Sequence, residues 1–161
     1  MSEDTAGLMH CIDNIDPAAP SDNTSIALVT YASDDILDYA AYSFAVNSAY
    51  AEHNGYEIFF MSPDTGSNYE PRDQRWNRVK IIDDALNKVD GWLKDVDYVV
   101  WIDADLIFID LDLSIKDLVA EYPEYDIIIS AERHAETGVA NTGSFIMRNS
   151  DWSRQFLQDW W

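Results

Sequence analysis

Residues 98–105 read Tyr-Val-Val-Trp-Ile-Asp-Ala-Asp, a run of five largely apolar residues followed directly by an Asp-Ala-Asp tripeptide. A run that is apolar on both faces predicts a central strand of a parallel sheet. Ligands of open α/β sheets bind beyond the carboxyl ends of the strands, so Asp103 and Asp105 are expected in that crevice. Side chains two positions apart on an extended segment point the same way, so both carboxylates can face one ion.

The residues upstream of this run show one helix pattern between two strand patterns. Residues 26–31 and 56–61 are short β-prone apolar runs. The helix between them is expected to begin at a cap formed by Asp34 or Asp35. Gly55 supplies the left-handed stop that such helices favour.

Amphipathic and apolar segments continue the alternation along the chain. Residues 73–94 carry apolar side chains at spacings of three and four, which predicts an amphipathic helix. The remaining elements are expected to be a helix at 113–122, strands at 125–130 and 144–148, and a final helix capped by Ser150. The alternation predicts an α/β fold, with a mainly parallel central sheet flanked by helices.

The composition excludes several classes of protein. The chain has 161 residues, enough for one well-buried core, and its 47% hydrophobic content excludes a disordered polymer. Thirty acidic against ten basic residues give a net charge of −20. A surface so negative repels phosphate backbones and anionic lipids, so we expect neither nucleic-acid binding nor contact with a membrane surface.

The chain ends and the single cysteine set further expectations. Residues 1–24 have no clear period and are interpreted as a flexible leader, which leaves 25–161 as the folded domain. Cys11 is the only cysteine, so an intramolecular disulfide and a cysteine-based metal site are excluded. No apolar run approaches the roughly 20 residues that span a bilayer, and no signal peptide is visible, so the chain as given is expected to be soluble.

The Asp-x-Asp tripeptide on its own is weak evidence for a metal site, because the chain is so rich in aspartate. Two hard oxygen ligands suit Mg²⁺ or Mn²⁺, with phosphate oxygens completing the shell. Asp95-Val96-Asp97 and Asp110-Leu111-Asp112 have the same spacing. Strand context favours Asp103 and Asp105, because the first rival pair precedes the buried strand and the second follows a shorter apolar run. A polar loop remains the alternative.

Two further groups of residues have chemistry that suits a phosphorylated sugar. Four of the ten basic residues fall within nine positions, namely Arg72, Arg75, Arg78 and Lys80. They could face a diphosphate, although a solvated helix face with nearby acids is favoured for most of them. Asn141-Thr142-Gly143-Ser144 precedes an apolar strand and can hydrogen-bond sugar hydroxyls, but is also a common turn pattern.

Glu132, His134 and Glu136 follow the strand at 125–130, at the edge of the same crevice.

Several ordered stretches together resemble one known family. The segments DYVVWIDADLIF, YDIIISAE and TGVANTGSFIMRNSDWSRQFLQDWW, preceded by SAYAEHNGYEIFF and RWNRVKIIDDAL, resemble glycosyltransferase family 34. This is the galactosyl-, mannosyl- and xylosyltransferase family of the Golgi, and the similarity runs from about residue 26 to residue 161. It implies a GT-A fold, a nucleoside-diphosphate sugar as donor, Mn²⁺ or Mg²⁺ as cofactor, a glycan acceptor and retention of anomeric configuration.

The resemblance also implies roles for particular residues. Asp103 and Asp105 correspond to the metal ligands, and Ala104 lies between them in the diphosphate-binding segment. The loop from Thr30 to Ser33, which includes Tyr31 and Ala32, corresponds to the contact with the nucleotide base and ribose. Asn141, Thr142 and Gly143 correspond to the pocket for donor sugar and acceptor, with Asn141 expected to take part in catalysis. Arg78 stands where the family usually has lysine, which keeps the charge but changes its geometry.

The sequence departs from the family in two respects. No transmembrane anchor is visible, and the family's later acidic segment and metal-binding histidine would follow Trp161, so the acceptor part is expected to be missing. A non-catalytic nucleotide-sugar-binding module is therefore an alternative. A phosphatase of the haloacid-dehalogenase type is another, although Leu106 and Ile107 stand where that class usually has Gly-Thr or Val-like residues.

Overall fold

A five-stranded sheet forms the centre of the protein. The computed structural model describes residues 23–63, 72–87, 91–93, 95–132 and 138–161. Within them the strands are β1 (Ile26–Tyr31), β2 (Glu57–Met61), β3 (Tyr98–Ile102), β4 (Ile127–Ala131) and β5 (Ala140–Arg148). Their order is β2-β1-β3-β5-β4, with β1 parallel to β2 and β3, and β5 antiparallel to both of its neighbours. The predicted mainly parallel α/β sheet is confirmed, with β5 as the reversed strand.

Helices cover both faces of this sheet. They are α1 (Leu37–Asn54), α2 (Asn77–Asn87), α3 (Ile115–Glu121) and α4 (Asp151–Trp160). Alternate residues of β1 and β3 point to opposite sides, as strand geometry requires. Val29 and Trp101 pack with α2 and α4, whereas Leu28 and Val100 pack with α1 and α3. The central strands are buried on both faces, which explains their continuous apolar runs.

Helix α1 ends as predicted but begins differently. Gly55 has φ 69°, and the N–H of Tyr56 reaches back to the carbonyl of Ala51 over 2.8 Å. At the other end, a 3-10 turn at Asp34–Ile36 precedes the helix, and no side chain caps either element. The predicted aspartate cap is therefore wrong: Asp34 and Asp35 lie inside the first turn, where acidic groups still oppose the positive end of the helix.

Helix α2 is shorter than its apolar periodicity predicts. The chain turns at 91–93, so the predicted helix is wrong there, and residues 88–90 and 94 lie outside the described residues. Leu93 is fully buried, and its N–H bonds to the carbonyl of Ala85 over 3.1 Å. A buried leucine thus continues the period although the chain has left the helix.

Strand β5 is longer than predicted. It begins at Ala140 rather than Ser144, because Ala140 pairs with Ala131 of β4 beyond an irregularity in the register. Asn141-Thr142-Gly143 therefore lies within a strand, not in a turn before one.

The predicted leader falls almost wholly outside the described residues, since residues 1–22 are not among them. The final helix does begin after Ser150, whose hydroxyl accepts from the N–H of Ser153 over 3.2 Å. In the described ranges, no helix is both long and apolar enough to cross a bilayer.

Candidate functional site

The Asp103-Ala104-Asp105 tripeptide forms a tight turn at the carboxyl end of β3. The N–H of Asp103 donates to the carbonyl of Gly143 over 2.8 Å, which extends the pairing of β3 with β5. The N–H of Leu106 then donates to the carbonyl of Asp103 over 3.0 Å. Asp103 is half-buried and Asp105 is exposed. The turn holds the two carboxylates at the edge of the sheet where α/β proteins bind ligands.

The carboxylate of Asp103 is oriented by two donors. The indole N–H of Trp101 donates to Oδ1 over 2.8 Å, and Nη1 of Arg78 lies 3.4 Å from the same oxygen. Burial raises the pKa of Asp103, the Trp101 hydrogen bond and the Arg78 charge oppose that rise, and the charge of Asp105 adds to it. Asp103 and Asp105 are thus close enough to repel each other electrostatically.

Arg78 connects helix α2 to strand β5 across the site. Its Nη1 donates to the carbonyl of Thr142 over 2.6 Å and to the Thr142 hydroxyl over 3.1 Å, while Nε donates to the carbonyl of Arg75 over 2.9 Å. Its guanidinium carbon also lies 5.9 Å from the centre of the Trp101 ring. The planar fork of arginine makes these contacts together, which a lysine ammonium group would not.

Strand β5 approaches Asp103 closely at a glycine. A Cβ atom at position 143 would lie 3.0 Å from Oδ1 of Asn141 and 3.3 Å from Oδ2 of Asp103. The N–H of Gly143 donates to the Asn141 oxygen over 2.9 Å, and the Asn141 amide donates to Glu132 over 3.0 Å. A side chain at position 143 would therefore press on Asn141 and Asp103, which would have to shift by a few tenths of an ångström.

Arg78, Asp103 and Asp105 border a cleft of about 540 Å³. Its lining residues are Tyr31, Ser33, Asp35, Ile36, Tyr39, Asp73, Gln74, Arg75, Arg78, Trp101, Asp103, Ala104 and Asp105. The cleft lies between the end of β1, the start of α1, the start of α2 and the turn after β3. Such a volume suits a ligand of nucleotide size.

The cleft contains only part of the predicted binding set. Tyr31, Arg78, Asp103, Ala104 and Asp105 line it. Thr30 and Ala32 are buried, with 4% and 0% of their surface exposed. Asn141, Thr142 and Gly143 contact the lining residues Asp103 and Arg78, directly or through each other. The predicted residues that follow β4, His134 and Glu136, lie outside the described residues.

Sequence patterns alone did not find the residues that close the cleft from the helix side. Tyr39 is 46% exposed on the first turn of α1, and Gln74 lies in the 3-10 turn before α2. Asp73 caps that turn, and the hydrogen bonds from Arg75 lower the pKa of Asp73 to about 2. Asp73 stands at the start of the predicted helix, but only the fold brings it into the same cleft as Asp35.

The remaining basic residues of the cluster mostly contact neighbouring side chains. Arg72 lies over the rings of Trp76 and Trp161, and Lys80 pairs with Asp83 and Asp84 of its own helix. Arg75 pairs with Asp73 and, like Arg78, lines the cleft, so the structure brings two of the four basic residues to the site.

The other two Asp-x-Asp pairs lie away from the cleft lining. Asp97 accepts from the N–H and hydroxyl of Ser25, which ties together the starts of β3 and β1. Asp112 lies 3.3 Å from the ring of His53. Of the three pairs, Asp103 and Asp105 are the ones that are among the residues lining this cleft.

The donor set of the cleft is compatible with a hard divalent cation. Within the described residues, no group of three or more His, Cys, Asp or Glu side chains is placed to hold a metal ion. Asp103 and Asp105 would offer carboxylate oxygens to such a cation, with phosphate and water oxygens filling the other positions. A cation beside them would relieve the repulsion that Asp105 exerts on Asp103.

The α/β fold of this chain is shared with a solved protein structure. A glycosyltransferase involved in the glycosylation of the major capsid of PBCV-1 has a similar structure, with a TM-score of 0.63 and 15% identity. The match covers 84% of this chain and 64% of that one. At this identity the likeness concerns the fold.

The chain belongs to the family described as "Protein of unknown function, DUF273", whose model matches residues 46–161. It also has glycosyltransferase homologues. It is 31% identical over 71 residues to a "Probable glycosyltransferase 6" of Oryza sativa subsp. indica, covering 41% of this chain and 14% of the relative. It is 22% identical over 140 residues to an "Alpha-1,2-galactosyltransferase" of Schizosaccharomyces pombe, covering 69% of this chain and 36% of the relative. The chain thus spans only part of the length of these relatives.

Proposed function

We propose that the protein is a metal-dependent glycosyltransferase that moves a hexosyl or pentosyl group from a nucleoside-diphosphate sugar to a glycan hydroxyl. The observation that carries the proposal is the placement of Asp103, Asp105 and Arg78 in one cleft at the carboxyl end of β3. Paired carboxylates suit Mn²⁺ or Mg²⁺, and a guanidinium suits a diphosphate. The glycosyltransferase names of the relatives support the same reaction.

Each part of the cleft has a role in this proposal. Asp103 and Asp105 would hold the cation, which when bound would neutralise negative charge on the departing diphosphate. Arg78 would contact the diphosphate, and Tyr31 would contact the nucleoside. Asn141 would face the donor sugar, whose transition state has oxocarbenium character. Thr30, Ala32, Ala104, Thr142 and Gly143 would shape these subsites through their backbone and short side chains.

The resemblance to glycosyltransferase family 34 supports finer proposals. It favours retention of anomeric configuration and a site of action in the Golgi lumen. Both follow from the ordered motifs on either side of Asp103-Ala104-Asp105.

Calorimetric titration of UDP and GDP, with and without Mn²⁺, tests the binding half of the proposal. We expect binding of one nucleotide to strengthen at least about tenfold when Mn²⁺ is present. Asp105→Asn should remove that dependence, because an amide is a weaker cation ligand than a carboxylate. Asp112→Asn is the matched control, since Asp112 has the same spacing in a neighbouring tripeptide and lies outside the cleft lining.

An assay of sugar transfer to glycan acceptors then separates the possible activities. Mn²⁺-dependent transfer that Asp105→Asn abolishes is the expected result. Nucleotide binding without transfer would instead make the chain a binding module. Hydrolysis of a simple phosphate ester, with no nucleotide binding, would favour a phosphatase and contradict the proposal.

A further inference from the structure

One side chain of α1 holds the backbone that follows Asp105. Asn47 lies within this helix with 2% of its surface exposed. Its Nδ2 donates to the carbonyl of Leu106 over 2.8 Å, and its Oδ1 accepts from the N–H of Phe108 over 3.0 Å. The amide thus satisfies a backbone acceptor and a backbone donor two residues apart, as a neighbouring strand would.

These contacts complete the anchoring of the Asp103–Leu106 turn. On the upstream side, the N–H of Asp103 is held by the carbonyl of Gly143. On the downstream side, Asn47 holds Leu106 directly. Asp105 lies between the two anchors and is itself exposed. The backbone from which its carboxylate extends is therefore held on either side.

We infer that Asn47 is a positioning residue for Asp105, which fixes the backbone that carries the second carboxylate of the proposed cation site without touching the ligand. The inference rests on the proposed function. Removing the amide would leave the carbonyl of Leu106 and the N–H of Phe108 without their protein partner. Asp105 would then vary in position, and ligands of a cation need supporting contacts to keep their geometry.

The same helix offers a matched control. Asn54 donates from Nδ2 to the carbonyl of Leu111 over 2.9 Å. It therefore binds the same segment with the same chemical group, but further from Asp105. Losing this contact should lower the stability of the protein without displacing the Asp103–Leu106 turn.

The experiment compares Asn47→Leu with Asn54→Leu in the full chain by thermal unfolding and by titration with Mn²⁺ and UDP. We expect both variants to unfold at a lower temperature. Asn47→Leu should weaken Mn²⁺-dependent UDP binding about tenfold or more, and Asn54→Leu by less than about twofold. Unchanged binding in Asn47→Leu, or equal losses in both variants, would overturn the inference.

A ligand-free measurement separates this inference from the proposed function. Amide hydrogen exchange at residues 104–106, followed by NMR, should be faster in Asn47→Leu than in Asn54→Leu. If the wild-type chain binds neither Mn²⁺ nor UDP, the proposed function fails, and exchange alone decides whether Asn47 holds the turn. If Asn47→Leu does not fold, Asn47→Asp replaces it, because it keeps the acceptor for Phe108 but repels the carbonyl of Leu106. Thermal unfolding, Mn²⁺-dependent UDP binding and amide exchange are then compared between Asn47→Asp and Asn54→Leu. Equal effects of the two changes contradict the inference.

Discussion

The indole N–H of Trp101 donates to Oδ1 of Asp103 over 2.8 Å, so the core strand β3 orients the first carboxylate of the cleft. Trp101 is 2% exposed and packs in the core between the sheet and helices α2 and α4. The indole ring therefore has little freedom to move, and neither does the oxygen that it binds. Core packing and site geometry are coupled through this one contact.

Trp101→Phe should weaken both stability and cation-dependent binding. Phenylalanine fills much of the ring volume but lacks the donor, and a hydrogen bond to a charged group contributes about 1.5–3 kcal/mol. Urea unfolding should show a loss of that order, and titration of UDP with Mn²⁺ should show weaker binding.

Trp160→Phe is the control for this change, because Trp160 packs against the same core at Phe145. It should lower stability while leaving UDP binding unchanged. Equal binding by wild type and Trp101→Phe would show that the indole does not orient Asp103 for its ligand.

Gly143→Ala should impair the cleft through crowding. The new methyl group would lie 3.3 Å from Oδ2 of Asp103 and 3.0 Å from Oδ1 of Asn141, so one of the two side chains must shift. We expect Mn²⁺-dependent UDP binding to fall about tenfold or more, measured by calorimetry.

Gly55→Ala provides a contrast at the end of α1. Gly55 has φ 69°, and a methyl group added there would meet open space, so alanine encounters backbone strain of about 1 kcal/mol rather than a clash. Its unfolding temperature should fall while binding stays intact. A Gly143→Ala variant that binds as well as Gly55→Ala would contradict the close approach of β5 to Asp103.

The titration of Tyr50 should make the free energy of unfolding depend on pH in the alkaline range. It is fully buried, its hydroxyl donates to the carbonyl of Leu113 over 2.7 Å, and burial raises the pKa of Tyr50 above its ordinary value. Below about pH 10 the wild type should exceed Tyr50→Phe in unfolding free energy by about 1 kcal/mol. Above that pH the unfolded chain loses this proton while the folded chain keeps it, so the wild-type advantage should shrink.

Urea unfolding at about pH 8 and about pH 11 measures this difference. Tyr42→Phe is the control, because Tyr42 is 77% exposed. If the wild type exceeds Tyr50→Phe by the same unfolding free energy at both pH values, the prediction is contradicted.

Local patterns predicted the elements whose burial is continuous. The run at 98–102 became β3 at the predicted boundaries, because a strand buried on both faces needs apolar residues throughout. Leu93 shows the limit of the same reasoning. Its spacing fits a helix, but it is buried by a turn of the chain that follows α2. The spacing of apolar residues therefore predicts which side chains are buried, but it does not predict the path that the backbone takes to bury them.

The sequence by itself determined the α/β class, the central strand β3 and the position of Asp103 and Asp105 at its end, because these depend on local apolar runs and on the rule for strand ends. Only the tertiary structure decided what surrounds them. Arg78 and Asn47 reach the turn because helices α2 and α1 pack against opposite faces of the sheet around β3. Contacts between residues distant in sequence depend on packing of the whole domain, and no spacing along the chain encodes them.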